Sequence, residues 1–160
     1  MAGKESDVTE AVQQSLTISS SFMNYIGTFD DMKTYPDVTI VIPGMENPLH
    51  LHRFVLSLVS KMFSSLFNGQ TNPHCKFIAE SFRVEWMEIS ETYRDVLVKW
   101  LRFCYGEDQT FSPEECPAAL TVWFQLQLAC KEDYGKLIKE YMVELSKTCD
   151  DNKTIVMRIF

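Results

Sequence analysis

The stretch from Val38 to Phe67 changes period partway along, and that change limits the fold more than any other feature of the chain. Val38, Thr39, Ile40, Val41 and Ile42 are β-formers in an almost unbroken apolar run, the pattern of a strand covered on both faces. Pro43 and Gly44 end it. Leu49, His50, Leu51 and His52 then alternate, leucines on one face and histidines on the other, so the two runs are expected to form a hairpin. From Arg53 the spacing becomes helical: Val55, Val59, Met62 and Leu66 line up beside Leu56, Phe63 and Phe67, and Asn68-Gly69 closes the pattern. A hairpin running straight into a helix with a broad buried stripe predicts an α+β domain.

The flanking segments supply more helix than strand. After a polar tail over residues 1–12, Leu16, Ile18, Phe22, Met23, Ile26 and Phe29 recur at mixed three- and four-residue steps, which predicts one amphipathic helix within residues 16–32. Its serine and β-branched content lowers intrinsic helicity, so it needs a partner surface. "QTNPHCK" reads as a loop, and "RVEWMEI" as a third strand with Val84 and Trp86 facing one way. Tyr93, Val96, Leu97, Trp100, Leu101, Cys104 and Tyr105 define the clearest helix, stopped by Gly106. Ser112, Pro113 and Glu115 have the composition of a capping box. Residues 118–130 are apolar nearly all round, as in a central helix, and Gly135 marks a break before a last helix built on Leu137, Ile138, Tyr141, Met142 and Leu145. Phe63 and Trp100 are expected at the junction of the hairpin with the helical layer.

Composition then removes several classes of function. With 160 residues, 46% hydrophobic and 23% charged, the chain can bury one core and not two. A formal charge of −7 repels a phosphate backbone, so no nucleic acid is expected as a partner. Five scattered cysteines without a C-x-x-C pair read as buried thiols of a reducing compartment. The polar N-terminus has no apolar signal core and no run approaches the roughly 18 to 20 apolar residues of a spanning helix, which leads us to expect a cytoplasmic or nuclear protein with no membrane partner.

Catalysis has no residues to stand on. His50 and His52 would lie about 7 Å apart on one strand face, with His74 or Cys75 as a conceivable third ligand, yet that ligand comes from a loop and no carboxylate backs it; no metal and no cofactor are expected. There is no G-x-S-x-G elbow and no glycine-rich phosphate loop. The pairs Asp30-Asp31, Glu114-Glu115 and Asp150-Asp151 read as solvated charges.

Taken together, "YPDVTIVI", "LHLHRFVLSLVSKMFSSLF" and "VLVKWLRFCYGE" resemble a BTB/POZ domain. The likeness rests on Asp37 before the first strand, His52, Arg53, Val55 and Leu56 at the next helix start, Ser60 and Phe63 within it, Leu66 and Phe67 at its end, and Phe103, Tyr105 and Gly106 later. It covers roughly residues 35 to 147 and extends to "LQLACKEDYGKLIKEYMVEL". The resemblance implies a small three-stranded sheet packed with a cluster of about six helices. The expected division is a tail and dimerisation helix over 1–34, a core over 35–148, and a tail leading toward a following domain over 149–160.

It also implies function. The family is non-enzymatic, and its kelch- and zinc-finger-linked members homodimerise through an extra N-terminal helix, here carrying Leu16, Phe22, Met23, Ile26 and Phe29. A helix exposing those side chains leaves an apolar patch unless a surface covers it. One expectation is an adaptor for a cullin-RING ubiquitin ligase, in which a hydrophobic-x-Glu motif, Ile78 and Glu80 with Ser81 next, contacts the cullin together with the helices from Tyr93 onward. "NGQTNPHC" makes the loop before it longer than in such adaptors. The alternative is the dimerisation and corepressor-binding domain of a transcription regulator, with Asp37 and Arg53 in a charged pocket at the dimer floor. A plainer role for those two is a buried, hydrogen-bonded structural pair.

Overall fold

The computed structural model describes residues 15–20, 22, 25–31, 34–129 and 133–148. In chain order the elements are β1 (Leu16–Ile18), α1 (Ile26–Asp30), β2 (Val38–Val41), β3 (Leu49–Leu51), α2 (Arg53–Val59), α3 (Lys61–Phe67), β4 (Cys75–Ile78), a 3-10 turn (Ala79–Ser81), β5 (Arg83–Trp86), α4 (Glu91–Cys104), β6 (Gln109–Phe111), α5 (Cys116–Leu126) and α6 (Tyr134–Thr148). The main sheet runs β3-β2-β5-β4, and β1 and β6 form a separate pair. The expected α+β class holds, with six α-helices among the described residues. The sheet has four strands where three were expected.

The hairpin forms as the alternation predicts, with Val38 opposite Leu51 and Ile40 opposite Leu49. The unbroken apolar run of β2 does not mean two covered faces, however. Val38 and Ile40 are buried while Thr39 and Val41 are only partly so, because helices cover one side of the sheet. β5 lies parallel to β2, and its Val84 and Trp86 both point into the core, as expected. The "QTNPHCK" segment, expected as a loop, ends instead in a strand: β4 pairs antiparallel with β5, Cys75 opposite Trp86 and Ile78 opposite Arg83.

Two expected helices are interrupted or re-bounded by particular side chains. Ser60 breaks the 53–67 helix with an extended backbone (φ −129°, ψ 119°). Its buried hydroxyl donates to the Leu126 carbonyl at 2.6 Å and accepts from Phe63 N at 3.2 Å, so a tertiary partner competes with the helical ladder and the same oxygen caps α3. Gly135 does not break α6 but sits in its first turn. A Cβ there would stand 2.8 Å from the Trp123 ring, so the glycine permits close helix packing.

The largest departure concerns residues 16–32. They do not form one amphipathic helix: Leu16–Ile18 is a strand paired with β6, and only Ile26–Asp30 is helical. Phe63 and Trp100 are both fully buried. Phe63 lies under the sheet, 6.2 Å from Trp86, whereas Trp100 belongs to the helical layer, within 5.3 Å of Phe103, Phe111 and Trp123. None of the helices among the described residues is long and apolar enough to cross a membrane.

Candidate interaction surfaces

Asp37 and Arg53 meet at the start of α2. Asp37 Oδ1 accepts from Arg53 N at 2.7 Å, and Oδ2 accepts from Arg53 Nε at 3.1 Å. His52, the residue before α2, offers no side-chain cap, so Asp37, just ahead of β2, caps the helix from across the hairpin. The pair is hydrogen-bonded but not buried, with side chains 39% and 45% exposed, and solvent screening leaves it little net stabilisation. The Arg53 guanidinium also lies 4.3 Å over the Phe82 ring, whose residue has left-handed backbone (φ 49°). Asp37, Thr39, His50, Ser81 and Phe82 share a shallow recess of about 220 Å³ on this side.

Behind that pair, His52 is locked into the fold. Its Nε2 faces the Thr34 carbonyl oxygen at 2.9 Å, an atom that can only accept, so Nε2 carries the proton. Nδ1 therefore accepts from the Tyr105 hydroxyl at 3.0 Å, while the same oxygen receives the His52 backbone N–H at 2.9 Å. Burial pushes the Tyr105 phenol up, which keeps its proton in place. His50 contributes a 3.4 Å contact from Nδ1 to Thr39 Oγ1. Tyr105→Phe is expected to cost about 1 to 3 kcal/mol, because two His52 groups lose one partner in a half-buried site. Urea melts of parent and variant test this, and equal midpoints would mean that water takes the hydroxyl's place.

The residues expected to touch a cullin divide into two places. Ile78 closes β4 partly exposed, and the 3-10 turn after it sets Glu80 and Ser81 in solvent. Tyr93 stands apart, beside Trp86 and Cys75 at the other end of the β4–β5 ladder, where burial pushes its phenol up to about 12. The Cys75 and Cys116 thiols are likewise raised to about 12 by burial, so both are protonated near neutral pH.

The residues expected at the dimer surface are distributed otherwise than one exposed face. Leu16 packs partly against the core, Phe22 sets its ring 5.5 Å from Phe103, and Phe29 is 9% exposed against Tyr105. Met23 falls outside the described residues, and Ile26 opens α1. Large exposed apolar side chains lie elsewhere, Phe124, Leu137 and Val143 on α5 and α6 among them, and on α2 two stand one turn apart on one face, Phe54 at 70% and Leu58 at 56% exposure. Neither belongs to the buried stripe of Val55, Leu56 and Val59, and that is the signal by which sequence could have singled them out.

Comparison with known proteins agrees with this fold. The BTB/POZ domain family model matches residues 27–133, and the chain belongs to that family of protein-interaction modules. Among solved structures, the BTB domain of zebrafish PATZ1 is similar at 21% identity and a TM-score of 0.51, over 78% of this chain and 86% of that one. No curated protein matches the chain.

Proposed function

We propose that this domain acts as a homodimeric adaptor for a cullin-RING ubiquitin ligase. The observation that supports the reading is the turn after β4, which presents Glu80 and Ser81 to solvent directly beyond the partly exposed Ile78. An aliphatic side chain there can fill an apolar pocket while the carboxylate at the rim fixes orientation. Tyr93 contributes only its partly exposed edge. Homodimerisation rests on family membership and on the Phe54–Leu58 face of α2.

Calorimetry against a panel of cullin N-terminal domains tests the adaptor role. Ile78→Ala is expected to weaken binding by about 1 to 3 kcal/mol, as for a central apolar anchor, and Glu80→Ala to act mainly on association rate and its salt dependence. If the intact domain binds no cullin, or Ile78→Ala binds as tightly as the parent, the adaptor reading fails. The alternative, dimerisation and corepressor docking for a transcription regulator, then takes its place.

A further inference from the structure

Among the described residues β4 is the terminal strand of the main sheet, hydrogen-bonded to β5 on one side only. The ladder fixes which of its backbone groups are free. Met87 N donates to the His74 carbonyl at 2.9 Å, and pairing continues with Lys76 opposite Glu85 and Ile78 opposite Arg83. In an antiparallel pair, alternate residues exchange hydrogen bonds, so 74, 76 and 78 face β5 while the N–H and C=O of Cys75 and Phe77 point away from it. Two residues on an open edge thus offer two donors and two acceptors, spaced for one extended chain.

The side chains along that edge differ on the two faces. On the core face, Phe77 is partly exposed and meets the ring of Phe67 at 5.1 Å, which makes an aromatic ledge beside the free backbone groups. On the outer face Lys76 is exposed and forms no ion pair among the described residues, whereas its cross-strand neighbour Glu85 is held by Arg83 at 3.0 Å. A second copy fits this edge poorly. Antiparallel pairing of β4 with itself through the groups of Cys75 and Phe77 centres on Lys76 and sets the two ammonium groups opposite each other, an unfavourable like-charge pair.

We infer that the β4 edge is a docking site for an extended peptide of apolar–acidic–apolar pattern, bound as an added antiparallel strand. The peptide's two apolar residues face Cys75 and Phe77, exchange backbone hydrogen bonds with them, and lay their side chains toward the Phe67–Phe77 ledge. The acidic residue between them stands opposite Lys76. Main-chain bonding supplies affinity, and the ledge with the single cation supplies sequence preference. The site is distinct from the one the adaptor reading uses, since it takes the backbone groups of Cys75 and Phe77 and neither Ile78 nor the turn that follows.

The probe is a short blocked peptide with valine, glutamate and valine at its centre, added to the full chain and followed by NMR and fluorescence anisotropy. Shift changes are expected at the Cys75 and Phe77 amides. N-methylation of the valine facing Phe77, which removes a peptide donor and leaves the protein untouched, is expected to weaken binding by about tenfold. Lys76→Glu should reverse the preference, so that a lysine-centred peptide binds better than the glutamate-centred one. Ile78→Ala should leave peptide affinity unchanged even if it abolishes cullin binding, which separates the two sites. Equal affinity of the N-methylated peptide, shifts confined to other elements, or no binding would overturn the inference. So would protection of the Cys75 and Phe77 amides that rises with protein concentration alone, which would assign the edge to a second copy.

Discussion

Trp100→Ala is expected to remove about 3 to 5 kcal/mol of folding stability, the range for deleting a large buried aromatic. Trp100 is 0% exposed, and its ring is surrounded by others: the Phe103 and Phe111 centroids are at 5.1 Å and Trp123 at 5.3 Å. Its indole N–H donates to the Ala119 carbonyl at 3.0 Å, which ties α4 to α5 through a hydrogen bond as well as through packing. Alanine forfeits the apolar transfer term, opens a cavity among rings that cannot all close on it, and loses that bond. Because a domain of this size holds only about 5 to 15 kcal/mol in total, the variant should lose a large share of its stability. A urea melt that moves by less than about 1 kcal/mol would show that the helical layer is not organised around this side chain.

The burial of Trp100 was legible because α4 keeps one period over four turns, and burial is what periodicity reports. The hairpin was legible for the same reason. What could not be read was pairing that depends on distant partners. β1 has only three residues, and its partner lies far along the chain, with Thr17 and Thr110 hydroxyls 3.0 Å apart across 93 positions. Locally, Leu16, Ile18 and Phe22 fit a helix as well as a strand. The same holds at Ser60, where an apolar helical pattern runs unbroken through a residue whose hydroxyl bonds to Leu126, 66 positions away. β4 was hidden by its own loop, since Asn72 and Pro73 announce a turn and only five residues, 74–78, follow before the next one.

For the candidate site, residue types were legible and arrangement was not. Asp37 and Arg53 were paired from the resemblance, and they do pair, but in solvent and as a cap on α2. The Ile78–Ser81 segment was picked out as a cullin contact, and the fold leaves Ile78 partly exposed with Glu80 and Ser81 in solvent. The apolar surface was sought on residues 16–32, where the side chains with described surroundings turn inward onto Phe103, Tyr105 and the core. A periodic pattern gives the number of apolar faces on a helix and not which of them finds a partner within the same chain.

That reassignment gives the second large effect. Phe54→Ala is expected to convert a dimer to monomer at micromolar concentration while leaving the melt of the monomer unchanged. Phe54 is 70% exposed in the single chain and Leu58 56%, so within one copy neither contributes much to folding, and truncation there should change unfolding by no more than about 0.5 kcal/mol. A symmetric dimer doubles the effect of any substitution at its interface, because the same patch is used by both copies. If full burial of one such side chain is worth about 1.5 to 3 kcal/mol, the pair loses about 3 to 6 kcal/mol, or roughly two to four powers of ten in Kd. Leu58→Ala should behave in the same way and Tyr105→Phe should not, since it weakens the fold without touching the α2 face. Sedimentation equilibrium decides it. A parent chain that stays monomeric well above micromolar concentration, or a Phe54→Ala variant that dimerises as tightly as the parent, would show that this face serves something other than a second copy.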